Sequence, residues 1–235
     1  MKVLGIETAT DVCGAAVVVD GKVVHDAYLK ERYVHAERLM GLIDASLKVA
    51  GMEASDIDGC AVSSGPGSFT GLRIGISVAK GLAYSMNRPL VAVPTLRALA
   101  TGTFNSLQKG NTQSVLAVLD ARRDEVYCQL FRASDGVLEP VWDEKDMTLA
   151  DLIDRLGDRA VTVTGDGRTK LRAYVRANTS AKAGMFKHVP DEIAECTAGS
   201  IAILGEKLLQ EGKVIDAAEL QPLYIKEFYS PVRTA

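Results

Sequence analysis

The sequence is poor in most residues and runs that would announce a chemistry. It has three histidines, His25, His35 and His188. None stands at a metal-ligand spacing from another or from a cysteine, which argues against a zinc or iron site built by this chain. The four cysteines, Cys13, Cys60, Cys128 and Cys196, include no CxxC pair. Cys13, Cys60 and Cys128 lie in apolar strand-like runs, where buried free thiols are expected rather than a disulfide framework. No window approaches 18 consecutive apolar residues, so no membrane-spanning helix is expected. Glu7 interrupts the amino terminus too early for a secretory signal, and a cytoplasmic protein is expected. Neither sign of charge dominates, and a formal net charge of −3 argues against tight autonomous binding to nucleic acid through counterion release.

What is present is an ordinary globular composition, 47% hydrophobic and 24% charged over 235 residues. That length suits two lobes of about 100 residues each. "KVLGIETAT", "CGAAVVVDGKVVHDAYL" and "GCAVSSGP" read as strands, the second a hairpin turning at Asp20-Gly21. A helix is predicted over 35–51, where Leu39, Ile43 and Leu47 recur every four residues and Leu42 widens the stripe. A second helix over 71–86 is apolar or small on nearly every side, with charges only at Arg73 and Lys80, and such a helix is buried in a core or against a partner. After a strand "PLVAVPT", a helix near 95–101 and a polar stretch "NSLQKGNTQS", the grammar repeats. "SVLAVLDARRDEVYCQLFRASDGVL" is again strand, polar turn, strand and an Asp135-Gly136 turn, followed by helix "LADLIDRL", strand "AVTVTGDG" and a helix over 197–212. The repeat suggests a duplicated α/β unit. The tail "LQPLYIKEFYS" reads as a docking segment.

The glycine-rich run "SSGPGSFTGLRIG" invites a phosphate-loop reading, but it lacks the Gly-Lys-Ser/Thr ending of a P-loop. Gly65, Gly67 and Gly71 miss the dinucleotide spacing by one residue, and Ser68 lacks the flanking glycines of a nucleophile elbow. Two readings stay open for it: an anion site at a helix amino terminus, or a tight turn that lets backbones pass closely. A separate candidate nucleotide or anion site comes from the two polar hairpin turns, Glu7, Thr8 and Thr10 in one, Asp120 and Arg122 in the other, with Gly165 and Gly167 of "TGDGRTKLR" covering it. Two solvated hairpin turns are the alternative.

"LGIETAT", "HAERLMGLIDASLKVAG", "AVSSGPGSFTGLRIGISVAKGLA", "PLVAVPTLRALA" and "LDARRDEVY" together resemble the TsaB (YeaZ) family of bacterial proteins, densely over residues 1–130 and loosely beyond. The resemblance implies an α/β fold of the two-lobed actin, sugar-kinase and Hsp70 type, each lobe a mixed sheet with flanking helices. It divides the chain into a first lobe, 1–105, completed by 213–235, and a second lobe, 106–212. It also implies a non-catalytic subunit of the machinery that places a threonylcarbamoyl group on the adenosine beside the anticodon of tRNAs reading ANN codons. The implied partners are the catalytic paralogue TsaD, the ATPase TsaE, tRNA through the complex, and a second copy when isolated. The catalytic paralogue carries an HxxxH metal motif; here "HAERL" places Leu39 where the second histidine belongs, so neither a catalytic nor a metal-binding residue is expected. The implied partner face comprises His35, Leu39, Leu42, Ile43, Leu47, Ser68, Phe69, Leu72, Ile76 and Lys80. No cofactor is required, and ATP or ADP with magnesium would bind weakly, in the interlobe cleft or at the partner face. Two other readings stay open: a small-molecule kinase or ATPase using Glu7 and Asp120 around magnesium-ATP, and a peptidase.

Overall fold

The computed structural model describes residues 1–107, 113–134 and 136–225. The chain opens with β1 (Lys2–Glu7), β2 (Val12–Val19) and β3 (Lys22–Lys30), then α1 (His35–Val49), β4 (Gly59–Gly65), α2 (Phe69–Met86) and β5 (Leu90–Pro94). These strands form one sheet in the order β3-β2-β1-β4-β5. Asp20 and Gly21 both take positive φ, 48° and 75°, the backbone of the two-residue turn that matches strand twist and closes β2 on β3. β1, β2 and β4 are buried along almost their whole length because helices cover both faces. β3 lies at the edge, carries Lys22, Asp26 and Lys30, and stays largely exposed, which discourages pairing with another chain.

After α3 (Thr95–Ser106) the second lobe runs β6 (Ser114–Asp120), β7 (Glu125–Ser134), β8 (Val137–Pro140), β9 (Lys145–Thr148), α4 (Leu149–Leu156), β10 (Val161–Thr164), α5 (Arg168–Asn178) and β11 (Phe186–His188). Its sheet order is β11-β10-β6-β7-β8, with β9 also pairing β7. In both sheets an antiparallel meander leads from the first strand outward, and two later strands add in parallel on its other side. The duplicated unit expected from the repeated hairpins is therefore present in the topology. Part of "NSLQKGNTQS", residues 108–112, lies outside the described residues, as do Asp135 and the end of the tail, 226–235.

Three apolar clusters hold the lobes together. One lies between the first sheet and α1 and α2, one between the second sheet and α4 and α5, and the third joins the sheets through α3 and α6 (Ala198–Gln210). The division by sequence places α6 in the second lobe; it packs instead on β1, β2, β4 and β5. Small residues permit this, since a Cβ at Gly5 would collide with Ala198 and Ala202, and one at Gly205 with Ala61. Over 213–225 the chain lies on the first lobe, where Ile215 bridges Leu90 and Leu220 enters the α1–α2 core. All four cysteines are free and buried.

Candidate functional site

β4 ends at Gly65 and α2 starts at Phe69, so the glycine run forms the turn between them. Ser68 caps the helix, its Oγ accepting from the Gly71 amide at 3.2 Å, while the Ser68 amide donates to the Ala9 carbonyl at 2.7 Å. A Cβ at Gly67 would overlap the Ala9 carbonyl oxygen, and one at Gly71 the Thr8 carbonyl oxygen. On the far side the Leu223 amide donates to the Ser64 carbonyl at 2.7 Å, and a Cβ at Gly65 would stand 2.6 Å from the Leu223 oxygen. Of the two readings of this turn, close backbone passage is the one the geometry supports: the β1–β2 turn and the tail both cross it.

Beside this turn an open cleft of about 860 Å³ lies between the lobes. Thr10, Asp120 and Arg122 line it, as expected. Glu7 does not, being fully buried and turned inward. One carboxyl oxygen accepts from the Ala9 and Thr10 amides at 2.8 and 3.2 Å, and the other lies 3.5 Å from Cys196 Sγ. Burial raises its pKa to about 7, against the lowering effect of hydrogen bonds from Ser63, Cys196, Ala9 and Thr10. Thr8 is likewise buried, against α2 at Gly75. Gly165 and Gly167 do not line the cleft either; they press on the β6 backbone at Val118 and Leu119, where a side chain has no room.

Sequence reasoning missed two acids that do face the cleft, Asp11 and Asp166. Asp166 sits between the two glycines that drew attention, and its Oδ1 accepts from the Asp120 amide at 2.8 Å. Burial raises its pKa, and the negative charges of Asp120, Asp11 and Glu195 add to that. Asp11 is paired with Arg32 at 3.0 Å and Asp120 with Lys170. The cleft walls carry the carboxylates Asp11, Asp120 and Asp166 together with the guanidinium groups of Arg32 and Arg122, and the start of α2 opens onto it. Among the described residues no group of three or more histidine, cysteine, aspartate or glutamate side chains is placed to hold a metal ion.

His35 opens α1 facing inward, its Nε2–H donating to the Thr10 carbonyl at 3.0 Å, so it fixes the β1–β2 turn rather than offering itself to a partner. The expected partner face needs a wider correction. Leu39, Ile43, Leu47 and Ile76 are buried in the first lobe's own core, and Leu72 is buried as well. The four-residue apolar stripe marks the side that folds inward, as it does on most amphipathic helices. Leu42, Ser68, Phe69 and Lys80 remain partly or fully accessible. Phe69 is committed to a stack with Tyr224 and Arg73, and Lys80 Nζ donates to the Ala218 carbonyl. The outer side of the helix pair carries Met40 (46% exposed) on one flank of α1 and Tyr84 (86%) on α2, with Ile74 and Val78 half-buried, while Val49 (64%) lies on the opposite flank of α1 from Met40. Gly41 and Gly81 leave open space there. Among the described residues no helix is long and apolar enough to cross a membrane.

The family model described as TsaD: tRNA N6-adenosine threonylcarbamoyltransferase matches residues 31–227. The tRNA threonylcarbamoyladenosine biosynthesis protein TsaB of Escherichia coli (strain K12) is 28% identical over 226 residues, 96% of this chain and 95% of that protein. The protein of the same description from Bacillus subtilis (strain 168) is 33% identical, covering 68% of this chain and 67% of its own length. The structure of YeaZ from Pseudomonas aeruginosa superposes with a TM-score of 0.77 at 26% identity, over 95% of this chain and 99% of that one. The two-lobed α/β architecture, the glycine turn closed by backbone and the match along nearly the whole chain lead to one assignment: the chain belongs to the TsaB (YeaZ) family.

Proposed function

We propose that this chain serves threonylcarbamoyladenosine formation in tRNA as a non-catalytic subunit, docking on the larger paralogue TsaD through the outward face of α1 and α2. The observation that carries this reading is the pairing of an apolar outer face, with Tyr84 and Met40 exposed and Gly41 and Gly81 open, with a cleft whose first acid, Glu7, is sealed inside the fold. Exposed aromatics beside small residues supply the anchor and the close approach that a helix-on-helix interface uses. The replacement of the paralogue's second histidine by Leu39, itself buried, supports a subunit that leaves the chemistry to its partner. TsaE would join the assembled pair, and an isolated chain would pair with itself through the same face, because the paralogue shares its fold. No nucleotide need reside in the chain's own cleft. A magnesium-ATP kinase would rely on Glu7, which does not reach the cleft, and a metallopeptidase would need a ligand group that the described residues do not assemble.

Sedimentation velocity of the chain mixed with the paralogue tests the docking face. Tyr84→Asp on α2 and Met40→Asp on α1 are each expected to raise Kd at least about 30-fold, the loss of an interface anchor worth about 2 kcal/mol. Unchanged complex formation in both variants would remove α1 and α2 from the interface.

A further inference from the structure

α2 carries two cations, Arg73 and Lys80, and no acidic side chain, in a chain whose net charge is −3. Lys80 is committed to the Ala218 carbonyl. Arg73 is exposed and forms no ion pair among the described residues. It is held in place all the same. Its guanidinium carbon lies 3.8 Å from the centroid of the Phe69 ring, one helical turn back, and 5.9 Å from that of Tyr224. The two ring centroids are 5.1 Å apart, and Arg73 Nε–H donates to the Tyr224 hydroxyl at 2.9 Å. Tyr224 follows Leu223, whose amide is fixed to the Ser64 carbonyl at 2.7 Å. The stack therefore orients the guanidinium plane, while its two terminal nitrogens have no acceptor among the described residues. An arginine ordered in advance, with donors still unmatched, is prepared for an anion that its own chain does not supply.

We infer that Arg73 is the charged anchor of the docking face and receives a carboxylate of the paralogue, an inference that rests on the docking proposed above. Arg73, Ser77 and Tyr84 stand at i, i+4 and i+11, so they follow one side of α2 over about 16 Å, and all three are exposed. The charge thus continues the line of the most exposed aromatic on that helix. Arginine beside tyrosine is the composition of interface anchors, and the planar fork can bond both oxygens of a carboxylate at once. RNA phosphates fit less well, because backbone recognition draws on several cations and α2 offers no second uncommitted one. Tyr224 is then a positioning residue: it aims Arg73, and through it the tail takes part in docking.

The test titrates the full chain against the paralogue by calorimetry, from about 50 to about 500 mM salt. Arg73→Gln is expected to raise Kd about 10-fold at low salt and to flatten its rise with salt, as loss of a charge pair does. Arg73→Glu is expected to raise it about 100-fold, and replacing the matching acid of the paralogue by lysine should recover at least about 10-fold of that loss. Tyr224→Phe keeps the ring and the charge, so its Kd should rise only about 3-fold with the salt dependence retained. Thermal melting of the three variants should stay close to that of the natural chain. Unchanged Kd in Arg73→Gln, beside a Tyr84→Asp variant that docks poorly, would overturn the inference and leave the docking face standing. An Arg73→Glu defect that no acid-to-lysine replacement on the paralogue relieves would overturn it too. A Tyr224→Phe defect as large as that of Arg73→Gln would show Arg73 merely holding the tail. Loss of tRNA binding by the assembled pair in Arg73→Gln, with paralogue affinity unchanged, would make Arg73 an RNA contact and also overturn it. No association of the natural chain with the paralogue would overturn the function proposed above, and the inference with it.

Discussion

Gly71→Ala is expected to destabilise the chain by about 3 kcal/mol or more, at the upper end of what overpacking costs. The new methyl group would overlap the Thr8 carbonyl oxygen, and that carbonyl has little freedom to retreat. The Thr8 amide is held by Ser63 Oγ at 3.3 Å, and Ala9 on its other side accepts from the Ser68 amide and donates to Glu7. Gly81→Ala on the same helix supplies the control. Nothing lies within 4 Å of its missing Cβ, so relief of glycine's backbone entropy should stabilise the helix by about 0.5–1 kcal/mol. Urea unfolding of the two variants measures the contrast. Small, equal effects would mean that the turn is not a crossing of backbones and would reopen the anion-site reading.

Glu7→Gln is expected to remove a pH dependence of stability that the natural side chain creates. Its folded pKa of about 7 lies above the ordinary 4.5, so between those values the folded state binds more protons than the unfolded one. Stability from this group is then full below about pH 4.5 and is lost as pH rises through about 7, to a limit of about 3 kcal/mol for a fully buried carboxyl. Glutamine keeps one carbonyl oxygen for the Ala9 and Thr10 amides and never ionises. The variant should match the natural chain near pH 5 and exceed it near pH 8, with the difference read from denaturant midpoints at each pH. A natural chain more stable at pH 8 than its variant would show that the carboxylate form is the one the fold requires.

Much of this fold is legible in the sequence because its signals are local. Asp20-Gly21 announces a hairpin through its tolerance of positive φ, and α1 follows from an apolar stripe that ends at Gly51. The repeat of hairpin and helix anticipates two sheets of equal topology. What the sequence does not disclose is direction. α2 is apolar or small nearly all round, so periodicity cannot say whether Ile76 or Tyr84 faces in; Gly71 and Gly75, pressed against Thr8, identify the inner side only once the turn is seen. A charge placed at Leu39 or Ile76 would therefore probe folding, whereas one at Met40 or Tyr84 probes docking. The same limit applies to Glu7: an acid at the end of a strand reads as a ligand, and only its bonds to Ala9, Thr10 and Cys196 show it holding its own turn. β11 spans three residues, too few to leave a pattern, yet it supplies the edge on which Lys187 and His188 stand.

Division of labour between this chain and its paralogue is tested most directly by nucleoside mass spectrometry of unmodified tRNA. One reaction contains the adenylate-forming enzyme with this chain alone, one contains the adenylate-forming enzyme, the paralogue and the ATPase without this chain, and one contains all four proteins. A non-catalytic subunit predicts threonylcarbamoyladenosine in the complete mixture, its loss when this chain is omitted, and none from this chain without the paralogue. Threonylcarbamoyl transfer by this chain in the paralogue's absence, or undiminished transfer when it is left out, would contradict the proposed role.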